Sequence, residues 1–231
     1  MRCDPPLTFR STGPGEIHMI GTAAGPVGGD HLTLDVQVRA QSQLTVRSVA
    51  ASMVFPGPSK LPSRTEVNID VGPGATLTWQ PEATVLVRGC DHIADTTITL
   101  ASTASLVWRE ELILGRWGET SGSVQQKLRV TRGGQVLIHL GMRLGPRWPE
   151  SFGPAGVADA LVVASMVIAG PSALDALAAA HRDDDSMHHD DVAWHSFPVA
   201  DDAVVMQVLG PSLERVRRAL DGVTARVRTE G

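Results

Sequence analysis

The densest set of side chains able to hold a metal ion is the run Arg182-Asp183-Asp184-Asp185-Ser186-Met187-His188-His189-Asp190-Asp191. Carboxylates and imidazoles together suit a divalent ion such as nickel, zinc or copper, with His188, His189, Asp190 and Asp191 as the ligand candidates and His195 near enough to join them. Adjacent ligands on a loop lack a shaped cavity and outer support, so the run reads first as a solvated connection and these four are the weaker metal candidates. Glu110 and Glu111 are the next candidates. Consecutive strand residues point to opposite faces, so only one of the two can face a cleft. A glycosidase needs two carboxylates opposed across a site, and the linear sequence selects no second one. Cys3 and Cys90 stand in neither a CxxC nor a zinc-ligand spacing. The chain carries no GxSxG elbow, no HExxH and no Walker A lysine loop. This pattern favours a binding, scaffold or chaperone role over catalysis.

Two glycine clusters place polar residues on tight turns. Gly28-Gly29-Asp30 precedes a strand pattern, and Leu114-Gly115-Arg116-Trp117-Gly118-Glu119 with Gly122 follows another. Such turns allow close approach to a partner, which makes Asp30, Arg116 and Glu119 candidates for a polar or metal path or for partner contact. In the plainer alternative, Asp30 and Glu119 satisfy local amides or pair with Arg116.

The elements that must carry these residues are mostly β. Leu32 to Val38 and Thr65 to Val71 alternate apolar and polar residues as half-buried strands do. A repeat occurs four times, at Val38 to Leu44, Val71 to Leu77, Leu100 to Leu106 and Val130 to Val136. In each, an apolar strand end is followed by five turn-forming residues and an apolar-x-apolar strand start. The period near thirty predicts stacked units that bury their apolar faces on one another, although a jelly roll or sandwich also gives regular turns. After Pro149 the apolar run Leu161 to Ala169 predicts a buried strand, Pro171 to Leu177 a short helix, and Val204 to Leu209 another strand. Leu213, Val216, Leu220, Val223 and Val227 fall on one face of a terminal helix, with Arg215, Arg217, Arg218 and Arg226 largely elsewhere. The expected fold is a single domain over 1–231. It has an elongated β-helical or stacked-sheet body in 1–150, and a β/α part with short helices in 151–231.

Composition bounds the partners. The 231 residues are 42% apolar and 19% charged, with a formal charge of −5, the wrong sign for a phosphate-backbone binder. No apolar run approaches the roughly 20 residues of a membrane helix. The start Met1-Arg2-Cys3-Asp4-Pro5-Pro6 has no secretory core, so a cytoplasmic protein is expected, without nucleic-acid or membrane partners.

Several ordered motifs resemble the UreD/UreH family of urease accessory proteins. They are Pro26-Val27-Gly28-Gly29-Asp30 with Leu32, Ala50 to Phe55, Trp79-Gln80-Pro81-Glu82, and Trp108 to Glu119 with its Leu-Gly-Arg and Gly-Glu pairs. Met53 and Phe55 stand where lysine and tyrosine are usual. The resemblance implies a non-enzymatic maturation factor with a β-helical scaffold and C-terminal helices. Such a protein binds apo-urease with a UreF-like adaptor and a nickel-carrying UreG-like GTPase, and has no tightly bound cofactor. Transient nickel passes through the complex, with buried polar or acidic residues lining an internal passage. The rival expectations are a β-solenoid polysaccharide hydrolase using Glu110 or Glu111, and a metal buffer using the Asp183 to Asp191 loop.

Overall fold

The computed structural model describes residues 5–170 and 191–227. A hairpin of β1 (Leu7–Gly13) and β2 (Glu16–Gly21) leads into β3 (His31–Val38), β4 (Gln43–Ser48) and the short β5 (Ser52–Val54). The same sequence of strands recurs as β6 (Ser63–Val71), β7 (Thr76–Gln80) and β8 (Thr84–Leu86), and again as β9 (Asp91–Leu100) and β10 (Ser105–Ile113), followed by β11 (Ser123–Arg132). Strands β3, β6, β9 and β11 run parallel in one sheet. Strands β4, β7 and β10 run parallel in a second, which β5 and β8 extend. The chain therefore coils between two sheets, and the stacked-unit expectation holds over the sandwich.

Three of the four repeated turns are corners of this coil. Val38, Val71 and Leu100 stack in register before the corner, and Leu44, Leu77 and Leu106 after it. The corners bond to one another, Gln41 N–H donating to Pro73 C=O at 2.9 Å and Ala101 N–H to Val71 C=O at 2.9 Å. The fourth repeat corrects the sequence reading. Gly133 and Gly134 have φ of 55° and 82°, the backbone of a two-residue primed turn. Here β11 folds straight back on β12 (Gln135–Leu144) as an antiparallel hairpin that ends the coil. The apolar spacing is alike because both structures need small residues between two apolar strand ends; the glycine pair decides between them.

The second sheet continues past β10 through antiparallel β13 (Val162–Ala169), β15 (Ala203–Gly210) and β14 (Ala193–Ala200), so it runs unbroken across position 150. A 3-10 turn, Pro149–Phe152, lies on the way. The main core fills the space between the sheets, where the Trp79 and Trp108 rings stack with centroids 4.9 Å apart and planes 10° from parallel. The helix α1 (Leu213–Val227) covers the other face of β13 and β15 with Val216, Ala219 and Leu220. Strand β13 is thus apolar on both faces, which explains its uninterrupted run. The short helix expected from Pro171 lies outside the described residues.

Charge also holds α1 to the sheet. Arg217, expected away from the apolar face, reaches Glu111 on β10 with its Nε (3.0 Å) and Nη2 (2.7 Å), and Glu82 with Nη2 (2.8 Å). Arg109 adds a 3.1 Å contact to Glu111 and a 2.6 Å bond to Asp221. The Glu111 side chain is wholly buried, so its charge depends on these partners.

Two stability measurements check this architecture. Trp108→Ala is expected to cost about 4 kcal/mol in urea unfolding, by lost transfer and a residual cavity. Arg217→Ala is expected to cost about 3 kcal/mol by removing the hydrogen bonds to buried Glu111 and leaving it Arg109 alone, whereas Glu111→Leu with Arg217→Met costs less than either single change. Additive losses in that double-mutant cycle would mean that the cluster is solvated.

Candidate functional site

The corner residues singled out in the sequence are satisfied locally. Asp30 immediately precedes β3 and closes the turn from Val27 in both directions, its Oδ2 accepting the Val27 N–H at 2.8 Å and its own N–H donating to Val27 C=O at 2.8 Å. Glu119 accepts Arg116 Nε at 2.7 Å, Nη2 at 3.0 Å and the Arg116 backbone N–H at 3.2 Å. The Arg116 guanidinium holds the Glu119 carboxyl down at about 2. Asp30 and Glu119 sit on one ridge of stacked corners, 26–30, 55–62, 87–90 and 114–122, but at its first and last levels. With β3, β6, β9 and β11 in sequence, that is roughly 14 Å apart. They do not share a site. The glycines there serve the coil itself: Gly28 packs backbone to backbone on Gly57, and Gly122 on Gly145 and Cys90, where a side chain would collide.

His188, His189 and Asp190 lie outside the described residues; Asp191 is exposed, with Arg215 Nη1 at 3.4 Å. Among the described residues, no group of three or more His, Cys, Asp or Glu is placed to hold a metal ion. Burial beside Asp91 pushes the Cys90 thiol up to about 12, so it is not a ready thiolate ligand.

Glu110 and Glu111 do take opposite faces of β10, but neither is a surface residue. Glu110 follows Leu106 and Trp108 on the face turned into the coil, and its Oε2 accepts Gln126 Nε2 from the opposite sheet at 2.6 Å. Desolvation pushes its carboxyl up to about 7, although the neighbouring Trp108 indole pulls the other way. Cross-strand register extends this position into a row. Glu110 pairs with Ser165 on β13, Ser165 with Gln207 on β15, and Gln207 with His195 on β14. The row spans three strand intervals, roughly 14 Å, from partly buried Glu110, Ser165 and Gln207 to exposed His195. One step away on the opposite sheet, buried His92 and Ser63 share a 2.8 Å hydrogen bond, and burial pushes the imidazole down to about 4. The Trp108 indole N–H is buried beside Glu110, and that of Trp79 is buried without a hydrogen-bond partner among the described residues. The inner space is therefore polar at this level, between apolar layers above and below.

Sequence reasoning overlooked this row. Its signal was one polar residue, Ser165 or Gln207, inside each of two otherwise apolar strand runs. Of the four, residue type and position in the sequence single out only Glu110 and His195, and for other reasons.

The two perturbed groups give opposite pH dependences. Glu110 titrates at 4.5 when unfolded and near 7 when folded, so its contribution is intact below 4.5 and lost as pH rises to 7. His92 titrates at 6.5 unfolded and near 4 folded, so its contribution is intact above 6.5 and lost as pH falls to 4. Relative to wild type, Glu110→Gln should gain of order 3 kcal/mol between pH 4.5 and 7, and His92→Asn should gain progressively from pH 6.5 down to 4. Urea midpoints across this range measure both; flat difference curves would show that the groups are hydrated.

Known proteins are similar to this chain in sequence. The sequence model of a family described as UreD urease accessory protein matches residues 4–231. A urease accessory protein UreD of Frankia casuarinae is 34% identical over 261 residues, covering 100% of this chain and 81% of that protein. One from a Parafrankia species is 37% identical over 243 residues, covering 95% and 79%. One from Streptomyces coelicolor is 32% identical over 225 residues, covering 95% and 86%. The match takes in the strand coil, the row across its second sheet and the covering helix alike, and the chain belongs to the UreD family of urease accessory proteins.

Proposed function

We propose that the chain is a non-enzymatic scaffold for nickel insertion into apo-urease, working with a UreF-like adaptor and a nickel-carrying UreG-like GTPase. The observation that supports this reading is the row Glu110, Ser165, Gln207 and His195, leading from inside the coil to its surface. A cation in transit needs oxygen and nitrogen donors at successive steps, each too weak to trap it. One carboxylate titrating near neutrality, a hydroxyl and an amide, at successive strand spacings, meet that need. Nickel is cargo here, with water completing its coordination. Asp30, Arg116 and Glu119 contribute by holding the corner turns that face the partner proteins. The cytoplasm, where urease is assembled, is the compartment this role requires. Among the described residues, no helix is long and apolar enough to cross a membrane.

Co-expression with urease and the other accessory proteins tests the proposal. Ser165→Val and Gln207→Leu keep strand shape while removing donors, and should lower urease nickel content by about tenfold or more with the complex still assembled. Asp30→Ala and Glu119→Ala should also lower it with the fold intact. Full nickel content in the row variants would remove the row from the mechanism, and full content in the corner variants would remove those residues.

A further inference from the structure

We propose that Trp117, with the guanidinium groups of Arg88 and Arg116, is an anchoring knob for a partner protein whose surface carries an apolar recess rimmed by Asp and Glu. The proposal rests on the scaffold reading only for the choice of probes.

Trp117 is fully exposed, at 101% of its reference area. An indole offers on the order of 200 Å² of mostly apolar surface, a large free-energy gain left unrealised in the isolated chain. The loop holds the ring outward. Glu119 N–H donates to Arg116 C=O at 2.9 Å across the turn, Gly115 and Gly118 have φ of 91° and 69°, and a side chain on Gly115 would strike the Glu119 carbonyl. The Arg116 and Glu119 fork then braces the turn from beneath. A side chain presented on a braced turn loses little further entropy on docking.

Charge specifies the occupant. Arg88 Nε lies 3.8 Å from Glu119 Oε1, and the Arg88 and Arg116 side chains are 70% and 52% exposed against 8% for Glu119. The acid is underneath and the cations are outermost. The same end of the ridge continues to Arg147, which bonds Asp91 at 2.5 Å and lies over the Trp148 ring at 5.2 Å. Glu150 and Asp159 are exposed acids on the neighbouring segment, Asp159 two residues before Leu161, whose C=O accepts the Leu114 N–H at 2.8 Å. The arginines are balanced in number by Glu119, Asp91 and Glu150, but Glu119 and Asp91 lie beneath them, so on a chain of net charge −5 the outermost groups beside Trp117 are guanidinium groups. Tryptophan and arginine are the residue types that dominate binding energy at protein interfaces, and outward guanidinium N–H groups call for carboxylate acceptors.

The test uses the full chain, with purified apo-urease and the UreF-like adaptor as separate probes. Trp117→Ala should weaken binding to one of them by about 30-fold or more, with unchanged thermal stability, and Trp117→Phe should recover part of the loss. Wild-type affinity for that probe should fall with added salt, and Arg88→Glu should flatten the salt dependence. Val136→Ala, at an exposed apolar residue beside the Gly133-Gly134 hairpin, should change nothing. Equal affinities for wild type and Trp117→Ala overturn the proposal while leaving the scaffold reading in place. A Trp117 effect confined to self-association, or to binding of anionic phospholipid vesicles, overturns it as well. Wild-type chain that binds neither probe overturns both.

Discussion

The structure depends on one geometric requirement: each coil must satisfy its backbone on the next, at the strand spacing of roughly 4.8 Å, with every corner superposed. Once the corners at 38, 71 and 100 coincide, residues at equal distances from them stack in files. The inward files then have to match in character. Val36, Ile69, Ile98 and Val130 form one such file, and Val46, Trp79 and Trp108 another. The indole stack is a direct consequence, because two large rings at the same coil position can lie nearly parallel across one spacing.

The same rule that builds the core also makes the polar level. A polar residue at one inward position is costly alone, since burial strips its water. Placed in register with other polar residues it meets partners, as Glu110 meets Gln126 across the sheets and Ser63 meets His92 along one. Glu110 and His92 both answer burial by favouring their neutral forms near pH 7, the carboxyl in part and the imidazole fully. The interior therefore carries polar chemistry with little buried charge. The fully charged groups lie elsewhere, on the face under α1, where Glu111 has Arg109 and Arg217 beside it.

A coil has open ends, and an unpaired edge is a template for aggregation. At one end of the second sheet the β1–β2 hairpin adds to β4, and at the other the sheet turns antiparallel through β13, β15 and β14. The last strand carries Pro198, which cannot donate to a further strand. In the first sheet the hairpin at Gly133 and Gly134 ends the parallel series.

Local sequence determined which segments are strands, where the chain turns, and that the terminal helix has an apolar stripe, because alternation, turn chemistry and helical period are properties of neighbouring residues. The three true corners were legible for that reason, as were the turn-bound states of Asp30 and of Glu119 with Arg116. The hairpin at the fourth repeat is also local, carried by the Gly133-Gly134 pair, whereas tertiary structure alone decided that Arg217 turns back to Glu111 and that Glu110, Ser165, Gln207 and His195 form a row. These depend on register between strands far apart in the chain, and register is chosen by the summed burial of all inward files together. No single residue carries that sum, so a lone Ser165 or Gln207 reads as an interruption until its neighbours across the sheet are known.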